Sequence, residues 1–300
     1  MIISAVVVTY NRIELLKECL TSYINQTRLP DKIIVVDNAS TDGTREYLDT
    51  WKNDNDEKTK IHVIHLSENK GGSGGFHEGL KTALELNSDW VCVADDDAIL
   101  AEDVFEKAEK HIMQLPSDAT VSAICTKVIT DGCVSLFHRT NRRILSTKIL
   151  PEPISEETYE QEFFECDSAS YVGAILNCET LKEVGITEKN YFIWNDDAEH
   201  FWRLSKAGKI ICYTDMMIDH KVNQPDYDCL SWKTYYGYRN YILMVKKHLG
   251  FKYFLAYIVR TLSRGPRDLS WKHTKLGICA VWDAIRNKQG IHKTYKPGWK

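Results

Sequence analysis

The chain has 300 residues, of which 43% are hydrophobic and 27% charged, and this composition excludes disordered, collagen-like and coiled-coil proteins. The length corresponds to one large domain, or to one domain with an appended segment. The net charge of −4 divides unevenly, because residues 229–300 hold 15 Lys and Arg against two Asp (+13) and residues 1–228 carry −17.

The first 125 residues predict a sheet of parallel strands. Continuous apolar runs, which are typical of strands buried on both faces, occur at 3–9, 32–37, 62–66, 90–95 and 121–126. Helical patterns separate them, around residues 15–23 and at 41–51 (with Ser40 or Thr41 as the cap), 75–86 and 102–114. Strands alternating with helices predict an α/β fold with helices on both faces of the sheet, and ligands bind such sheets beyond the carboxyl ends of the strands.

The rest of the chain is less regular. Residues 127–168 have no clear period and predict an excursion over the surface. A strand at 170–176, helices at 179–184 and 197–207, and a strand at 209–213 follow, and the pattern is helical and aromatic from residue 232 onward. We therefore predict a first domain over residues 1–228 and a basic, aromatic helical extension over residues 229–300.

The sequence predicts neither a membrane span nor a signal peptide. No uncharged apolar run approaches the roughly 18 residues that a span requires. The N-terminal segment MIISAVVVTYNR lacks a basic region and a cleavage site, so it predicts a buried strand. Nine cysteines without any CxxC pair predict buried free thiols in a reducing cytoplasm.

All four of the first strand ends are polar or glycine-rich, which predicts a binding edge. They are Thr9-Tyr10-Asn11-Arg12, Asp37-Asn38-Ala39-Ser40, the segment 68–76, and Asp95-Asp96-Asp97.

Asp95, Asp96 and Asp97 form the most informative of these ends. Adjacent carboxylates repel one another, which favours a bound cation. Because alternate residues of an extended segment point the same way, Asp95 and Asp97 can share a metal while Asp96 faces elsewhere. Oxygen ligands of this kind suit Mg²⁺ or Mn²⁺. The alternative is a solvated acidic turn that caps the next helix.

Glycines fill four of the five positions from Gly71 to Gly75. The spacing fails the GxGxxG pattern, because the sixth position counted from Gly72 is His77. The loop still permits close approach of a ligand to the backbone, and it opens a helix whose N-terminus favours anions.

A second acidic cluster, Asp196-Asp197 with Glu199, begins a helix after the aromatic segment YFIW. Compensation of the helix dipole is one interpretation, and a general base for an alcohol is the other. His220 follows a strand beside Asp219, so it is either a structural histidine or a partner in the metal site.

Together these segments resemble a known family. VVVTYNR, VVDNASTDGT, NKGGSGGF, ADDDA and YFIWNDDAEHFWRL are similar, in this order, to motifs of the family 2 glycosyltransferases with the GT-A fold, and most of all to those of bacterial galactofuranosyltransferases. The resemblance covers about residues 1–225. It implies a Rossmann-like nucleotide-sugar-binding domain with a mostly parallel sheet.

The resemblance also implies roles for individual residues. The nucleotide-sugar donor would be bound by Thr9, Tyr10, Arg12, Asp37, Asn38, Ser40, Asn69, Gly71, Gly72, Phe76, Asp95 and Asp96. Asp95, Asp97 and His220 would hold Mn²⁺ or Mg²⁺. Asp197 would be the catalytic base, and Trp194, Asp196 and Glu199 would bind the acceptor.

The implied reaction is a single displacement with inversion. Its donor would be a UDP-sugar, UDP-galactofuranose above all, and its acceptor a hydroxyl of a cell-surface glycan or lipid-linked acceptor. Related enzymes with further domains at both ends build polymers, so one or a few additions are expected here. The alternatives are a rhamnosyltransferase that uses a dTDP-sugar and a catalytically silent nucleotide-sugar-binding subunit.

The basic tail resembles interfacial helices that bind anionic lipid. Its basic residues are Lys246, Lys247, Lys252, Arg260, Arg264, Arg267, Lys272 and Lys275, interleaved with Tyr253, Phe254, Tyr257, Leu262, Trp271 and Trp282. We expect a cytoplasmic protein that is peripheral at the inner face of the membrane, although the same residues could form a helical subdomain with a solvated basic face. No base-reading motif accompanies the charge, so nucleic acid is not an expected partner, whereas an oligomer is compatible with the sequence.

Overall fold

The computed structural model describes residues 1–221 and 230–299. A mixed β-sheet runs through the N-terminal two thirds of the chain. Its strands are β1 (Ile3–Thr9), β2 (Lys32–Asp37), β3 (Lys60–His65), β4 (Trp90–Asp95), β5 (Ala98–Leu100), β6 (Val121–Thr130), β7 (Cys133–Val134), β10 (Phe163–Glu165), β12 (Ala174–Asn177) and β13 (Lys209–His220). A small second sheet contains β8 (Arg139–Leu145), β9 (Lys148–Pro153) and β11 (Ser168–Ala169).

Helices cover both faces of the main sheet and form the C-terminal region. They are α1 (Ile13–Ile24), α2 (Thr44–Asn55), α3 (Gly71–Glu85), α4 (Val104–Met113), α5 (Cys178–Val184), α6 (Asp196–Ala207), α7 (Trp232–His248), α8 (Phe251–Arg267) and α9 (Trp271–Ile285).

The register of the sheet brings the predicted strand ends together. The order β4-β1-β2-β3 is parallel throughout, and Thr9 lies opposite Asp37 while Val8 lies opposite Asp95. The polar residues that follow these strands therefore meet at one edge, as predicted. On the other side of β4 the sheet is mixed, because the antiparallel strand β12 lies between β4 and β6.

Each face of the sheet has its own hydrophobic core. On one face α1, α2 and α4 bury residues such as Leu16, Trp51 and Phe105, and on the other α3 and α6 bury residues such as Phe76 and Phe201. Fully buried apolar side chains of this kind contribute roughly 1.5–3 kcal/mol each. Six of the eight described cysteines are buried and all eight are free thiols, which agrees with the predicted thiols.

Four predicted boundaries were wrong. Helix α2 begins at Thr44 after Gly43, whose φ of +90° suits glycine, so neither Ser40 nor Thr41 is the cap. The glycine segment is not a loop before a helix, because α3 already begins at Gly71. Residues 127–168 contain β7, β8 and β9, and the predicted strand 209–213 continues to His220.

Helices α7, α8 and α9 pack on one another and against the first domain. The predicted domain boundary at 228/229 lies outside the described residues. Within 1–221 and 230–299, no helix has the length and apolar character needed to cross a membrane.

Candidate active site

A cavity of about 1140 Å³ opens at the carboxyl edge of the sheet. This exceeds the roughly 300–1,000 Å³ of common small-molecule sites, so it has room for more than one ligand. Fourteen of the eighteen predicted site residues line it: Thr9, Tyr10, Arg12, Asn38, Asn69, Gly71, Gly72, Phe76, Asp95, Asp97, Trp194, Asp196, Asp197 and His220. Asp37, Ser40, Asp96 and Glu199 do not.

Asp96 does not line the cavity, but the reason differs from the predicted one, because Asp96 and Asp97 form the turn between β4 and β5 and not a strand. Its buried carboxylate accepts a hydrogen bond from Thr9 Oγ1 at 2.6 Å and pairs with Arg12 Nη2 at 2.5 Å. Burial raises the pKa of Asp96 to about 6, although the charge of Arg12 opposes the rise. Asp96 therefore does not reach the cavity surface, where the family resemblance placed it as a contact of the donor.

Asp97 and His220 meet inside the cavity. His220 Nε2 lies 3.2 Å from Asp97 Oδ1, and Arg12 pairs with Asp97 Oδ2. Burial alone would raise the pKa of Asp97, but the hydrogen bond from His220 and the charge of Arg12 lower it below the usual value. For Asp95, burial and the charge of Asp97 outweigh the charges of Arg12 and His220 and raise the pKa to about 7.

This donor set fits a divalent cation in its chemistry. Neighbouring ligands of an octahedral ion at 2.0–2.1 Å lie about 3 Å apart, which is close to the separation of Asp97 and His220. The predicted set of three ligands is only partly assembled, however. Among the described residues, the single group of three such side chains with ligand atoms within 4.8 Å of one another is Cys279, Asp283 and His292.

The group of Cys279, Asp283 and His292 has the spacing of a metal site, but the proton of His292 is on the nitrogen that a metal would need. The backbone N–H groups of Thr294 and Tyr295 both donate to His292 Nδ1, at 3.1 Å each. In a neutral imidazole Nε2 then carries the proton, and Nε2 faces Cys279 Sγ at 3.4 Å. A metal ligand would need the lone pair at that position, so the group is a hydrogen-bonded network that holds the C-terminal segment on α9.

Asn38 connects the second strand end to the glycine segment. Its Nδ2 donates to the Gly71 carbonyl at 2.8 Å, and its Oδ1 accepts from the Lys70 N–H at 2.8 Å. Asp37 lies behind it, where it accepts from the Ser40 N–H at 2.9 Å and contacts His65 at 3.0 Å. Asp37 and Ser40 thus shape the turn after β2 without reaching the cavity surface.

The second acidic cluster lines the same cavity as the first. Asp196 and Asp197 occupy the first turn of α6, and Asp95 is close enough for its charge to contribute to the pKa of Asp196. Burial, followed by the charge of Asp197, raises the pKa of Asp196 well above the usual value. Burial also raises the pKa of Asp197, against hydrogen bonds from backbone N–H groups. Both carboxyl groups therefore hold a proton to a higher pH than an ordinary aspartate does.

The loop before α6 is strained. Phe192, Trp194 and Asn195 have φ values of 70°, 64° and 65°, and such left-handed conformations cluster at functional sites. Asn240 on α7 holds the loop by donating to the carbonyls of Tyr191, Ile193 and Trp194 at 2.8–3.0 Å. Sequence analysis missed this role of Asn240, since nothing near residue 240 points to a partner some 46 positions earlier.

Glu199 was predicted to bind the acceptor, but it lies outside the cavity lining. It is fully buried, and it accepts hydrogen bonds from Arg203 Nη2 at 2.8 Å, Lys247 Nζ at 2.9 Å and His248 Nε2 at 2.8 Å. Burial would raise the pKa of Glu199, but His248 and Arg203 hold it well below the usual value. Its carboxylate joins α6 to α7 and is not available to an acceptor.

The outer part of the cavity comes from segments to which sequence analysis gave no site role. Their side chains include Tyr238 and Tyr241 from α7, Tyr257, Arg260 and Arg264 from α8, and Lys148 from β9. Tyr257, Arg260 and Arg264 belong to the set expected to face a membrane, and that expectation was wrong for them. The periodicity of 257, 260 and 264 marks one helix face, but it does not say what that face contacts.

Comparison with known proteins connects this geometry to a family. The family model described as "Glycosyl transferase family 2" matches residues 4–184. Galactofuranosyltransferase GlfT1 of Mycobacterium tuberculosis is 31% identical over 213 residues, which are 68% of this chain and 64% of the relative. GlfT1 of Mycolicibacterium smegmatis is 27% identical over 208 residues, 69% of this chain and 66% of the relative. The chain thus matches slightly less than two thirds of each relative's length.

Solved structures show the same fold at low sequence identity. S. aureus TarS 1-349 in complex with UDP-GlcNAc has a TM-score of 0.61 at 17% identity, over 95% of this chain and 81% of that chain. GalNAc-T7 with UDP, GalNAc and Mn²⁺ has a TM-score of 0.67 at 14% identity, over 95% of this chain and 56% of that chain. Both are GT-A glycosyltransferases.

Proposed function

Because this chain belongs to glycosyl transferase family 2, we propose that it is a metal-dependent, inverting galactofuranosyltransferase that uses UDP-galactofuranose. The observation that carries the proposal is the position of two acidic clusters, Asp95/Asp97 with His220 and Asp196/Asp197, in one cavity at the carboxyl edge of the sheet. The choice of sugar rests on the similarity to GlfT1. The choice of UDP is supported by the ligands named for the TarS and GalNAc-T7 structures.

Asp197 is the proposed base. It lies in the cavity wall beside Trp194, and its raised pKa makes it a stronger base than an ordinary aspartate. Asp196 precedes it in the cavity wall, and its raised pKa favours a protonated carboxyl group that can donate a hydrogen bond to the acceptor. Asp197 takes the proton of an acceptor hydroxyl as that oxygen attacks the anomeric carbon from the face opposite the diphosphate, which inverts the configuration without a covalent intermediate.

The residues of the first cluster bind the donor. Asp95, Asp97 and His220 would hold Mn²⁺ or Mg²⁺, which supplies electrostatic stabilisation of the departing nucleoside diphosphate. Thr9, Asn38 and the backbone at Gly71 line the part of the cavity proposed for the nucleotide. Trp194 and the tyrosines of α7 and α8 offer flat apolar faces to the sugar rings of a glycan acceptor.

A panel of nucleotide sugars tests the donor. We expect release of UDP from UDP-galactofuranose in the presence of a glycan acceptor, and we expect Asp197→Asn to lose turnover by 10²–10⁴-fold with unchanged affinity for UDP. Turnover with dTDP-rhamnose and none with UDP-galactofuranose would identify a rhamnosyltransferase instead. Binding of the nucleotide sugar without turnover of any donor would identify a silent subunit, and unchanged turnover in the variant would exclude Asp197 as the base.

The acceptor is proposed to be a glycan at the inner face of an anionic membrane, where the C-terminal helices dock. Exposed apolar side chains recur every three or four residues on α8, and on α9 they are spaced by seven, four and three residues. They are Phe251, Leu255, Val259 and Leu262 on α8, and Trp271, Ile278, Trp282 and Ile285 on α9. The opposite face of α8 lines the cavity, so a membrane-bound acceptor would need to pass only one helix.

Charge favours lipid over a second copy of this chain as the occupant of this face. Lys252, Arg267, Lys272, Lys275 and Arg286 are exposed on the same two helices. Two copies would bring these charges together, whereas an anionic leaflet attracts each by roughly 1 kcal/mol. By contrast Lys246, Lys247 and Arg260, which were expected at the membrane, donate hydrogen bonds to Asn287, Glu199 and Thr147 of the same chain.

Cosedimentation with vesicles tests the docking face. Wild type should bind phosphatidylcholine vesicles only when they contain phosphatidylglycerol, and added salt should weaken the binding. Trp282→Glu should reduce binding, whereas Met113→Glu, a control at a 77%-exposed residue on α4, should not. Absence of wild-type binding, or a dimer in light scattering that Trp282→Glu dissolves, would contradict the lipid assignment.

A further inference from the structure

Lys233 is a cation in the cavity wall that has no ion-pair partner among the residues that the structure describes. It lies in the first turn of α7, half-buried, with its ammonium 5.9 Å from the ring centre of Trp232. Arg12 and Asp95 are the neighbours whose charges reach it. Over residues 1–221 and 230–299, no carboxylate lies within 4.0 Å of its Nζ.

The other cations of the cavity are placed differently. Arg12 already pairs with Asp96 and Asp97. Arg260 donates to Thr147, and Arg264 stacks at 4.9 Å over Tyr238 in the outer part. Lys148 is exposed at the start of β9. Lys233 is therefore a half-buried cavity cation that senses the charge of Asp95 and that has no ion-pair partner among the described residues.

Partial burial makes an unpaired ammonium unfavourable. Burial, and next the charge of Arg12, lower the pKa of Lys233. An anion bound beside Lys233 would stabilise the charged ammonium and offset the cost of its burial. The N-terminal end of α7 adds a partial positive charge at the same place, since Trp232, Lys233 and Thr234 all line the cavity.

We infer that Lys233 Nζ binds the diphosphate of the sugar donor and stabilises its departure, an inference that rests on the proposed function. In the reaction the bond between the anomeric carbon and the diphosphate oxygen breaks, and its electron pair stays on that oxygen. The acceptor oxygen forms the new bond and its proton passes to Asp197. The charge that develops on the departing diphosphate is the charge that Lys233 meets.

Titration calorimetry with UDP and with uridine tests the contact, because only UDP carries the diphosphate. Lys233→Met should weaken UDP at least about tenfold and leave uridine unchanged, and Lys233→Arg should restore most of the UDP affinity. Turnover of the Met variant should fall about 10²-fold at unchanged acceptor KM. The matched control is Lys81→Met, an exposed lysine on α3, which should alter neither.

The possible results distinguish a failure of the Lys233 contact from a failure of the proposed function. Equal weakening of UDP and uridine would show that Lys233 shapes the pocket and does not bind phosphate, and unchanged UDP affinity would also overturn the inference. Failure of the wild type itself to bind UDP would instead refute the proposed UDP-sugar donor. If the Met variant does not fold, Lys233→Gln gives the same comparison with a polar side chain.

Discussion

Replacing Glu199 by Gln removes a buried charge and keeps its shape, so it measures what that charge contributes. Three basic side chains converge on this carboxylate: Arg203 from its own helix α6, and Lys247 and His248 from the end of α7. Removing one partner from a buried ion pair costs about 3–5 kcal/mol. We take the lower end, about 3 kcal/mol, because the Lys247 side chain is 45% exposed and solvent screens its charge.

The assay is urea and thermal unfolding of Glu199→Gln beside Glu179→Gln. Glu179 pairs with Lys182 at 2.6 Å, but its side chain is 80% exposed, so its variant should change stability by less than about 1 kcal/mol. For a chain of this size 3 kcal/mol corresponds to a fall in Tm of roughly 6 °C. Equal stability of the two variants would show that the buried charge of Glu199 does not stabilise the fold.

The pH dependence gives a second readout of the same charge. The folded protein holds the pKa of Glu199 well below its unfolded value of about 4.3, so the carboxylate stabilises the fold fully above that pH. The stability gap between wild type and Glu199→Gln should therefore narrow as the pH falls below about 4.3. A change in acceptor KM with no loss of stability would instead return Glu199 to the acceptor-binding role first predicted for it.

Three further predictions concern the cavity. Because burial raises the pKa of Asp197, turnover should be lost with falling pH at a value above the ordinary 3.9 of aspartate, and a pH–rate profile with its acid limb at or below 3.9 would argue against Asp197 as an ionised base in this environment. Gly71→Ala should lower the free energy of unfolding in urea by at least about 2 kcal/mol, because φ is +73° and the new Cβ would lie 1.9 Å from the Phe192 carbonyl oxygen. The control is Gly72→Ala in the same helical turn, which has open space around it and should be neutral or stabilising. Equal effects of the two substitutions would contradict the close approach of Gly71 to Phe192. EDTA should abolish turnover, and Mn²⁺ or Mg²⁺ should restore it, whereas full activity in EDTA would exclude metal dependence.

The elements predicted best are the ones buried on both faces. Strands β1, β2 and β4 begin and end where their apolar runs do, because a strand covered by helices has no solvent-facing position to interrupt the run. The predicted start of helix α3 was too late, because the low helix propensity of glycine favours a loop at this segment. Tertiary packing overrides that propensity, since a Cβ at Gly75 would lie 2.4 Å from Val8 on β1.

The site residues were also predicted in part. The sequence pattern located the acidic strand end, but the turn between β4 and β5 decided that Asp95 and Asp97 line the cavity and Asp96 does not. The roles of Asn240 and Lys233 could not be predicted, because their side chains meet partners across the fold that no local pattern announces. The same limit explains the C-terminal helices. A single basic pattern there covers residues without a carboxylate partner in the described part of the chain, such as Lys272, ion-paired residues such as Lys247, and cavity residues such as Arg260.

By itself, the sequence determined the α/β class, the binding edge and the two acidic clusters, because parallel strands joined by helices must bring their carboxyl ends to one edge. The tertiary structure alone decided that the two clusters line one cavity, that Glu199 is buried where α6 meets α7, and that α7 and α8 contribute to the cavity wall. These facts depend on contacts between residues far apart in the chain, and the packing of helices on a sheet sets such contacts. Periodicity says which face of a helix is buried, and only packing decides what it is buried against.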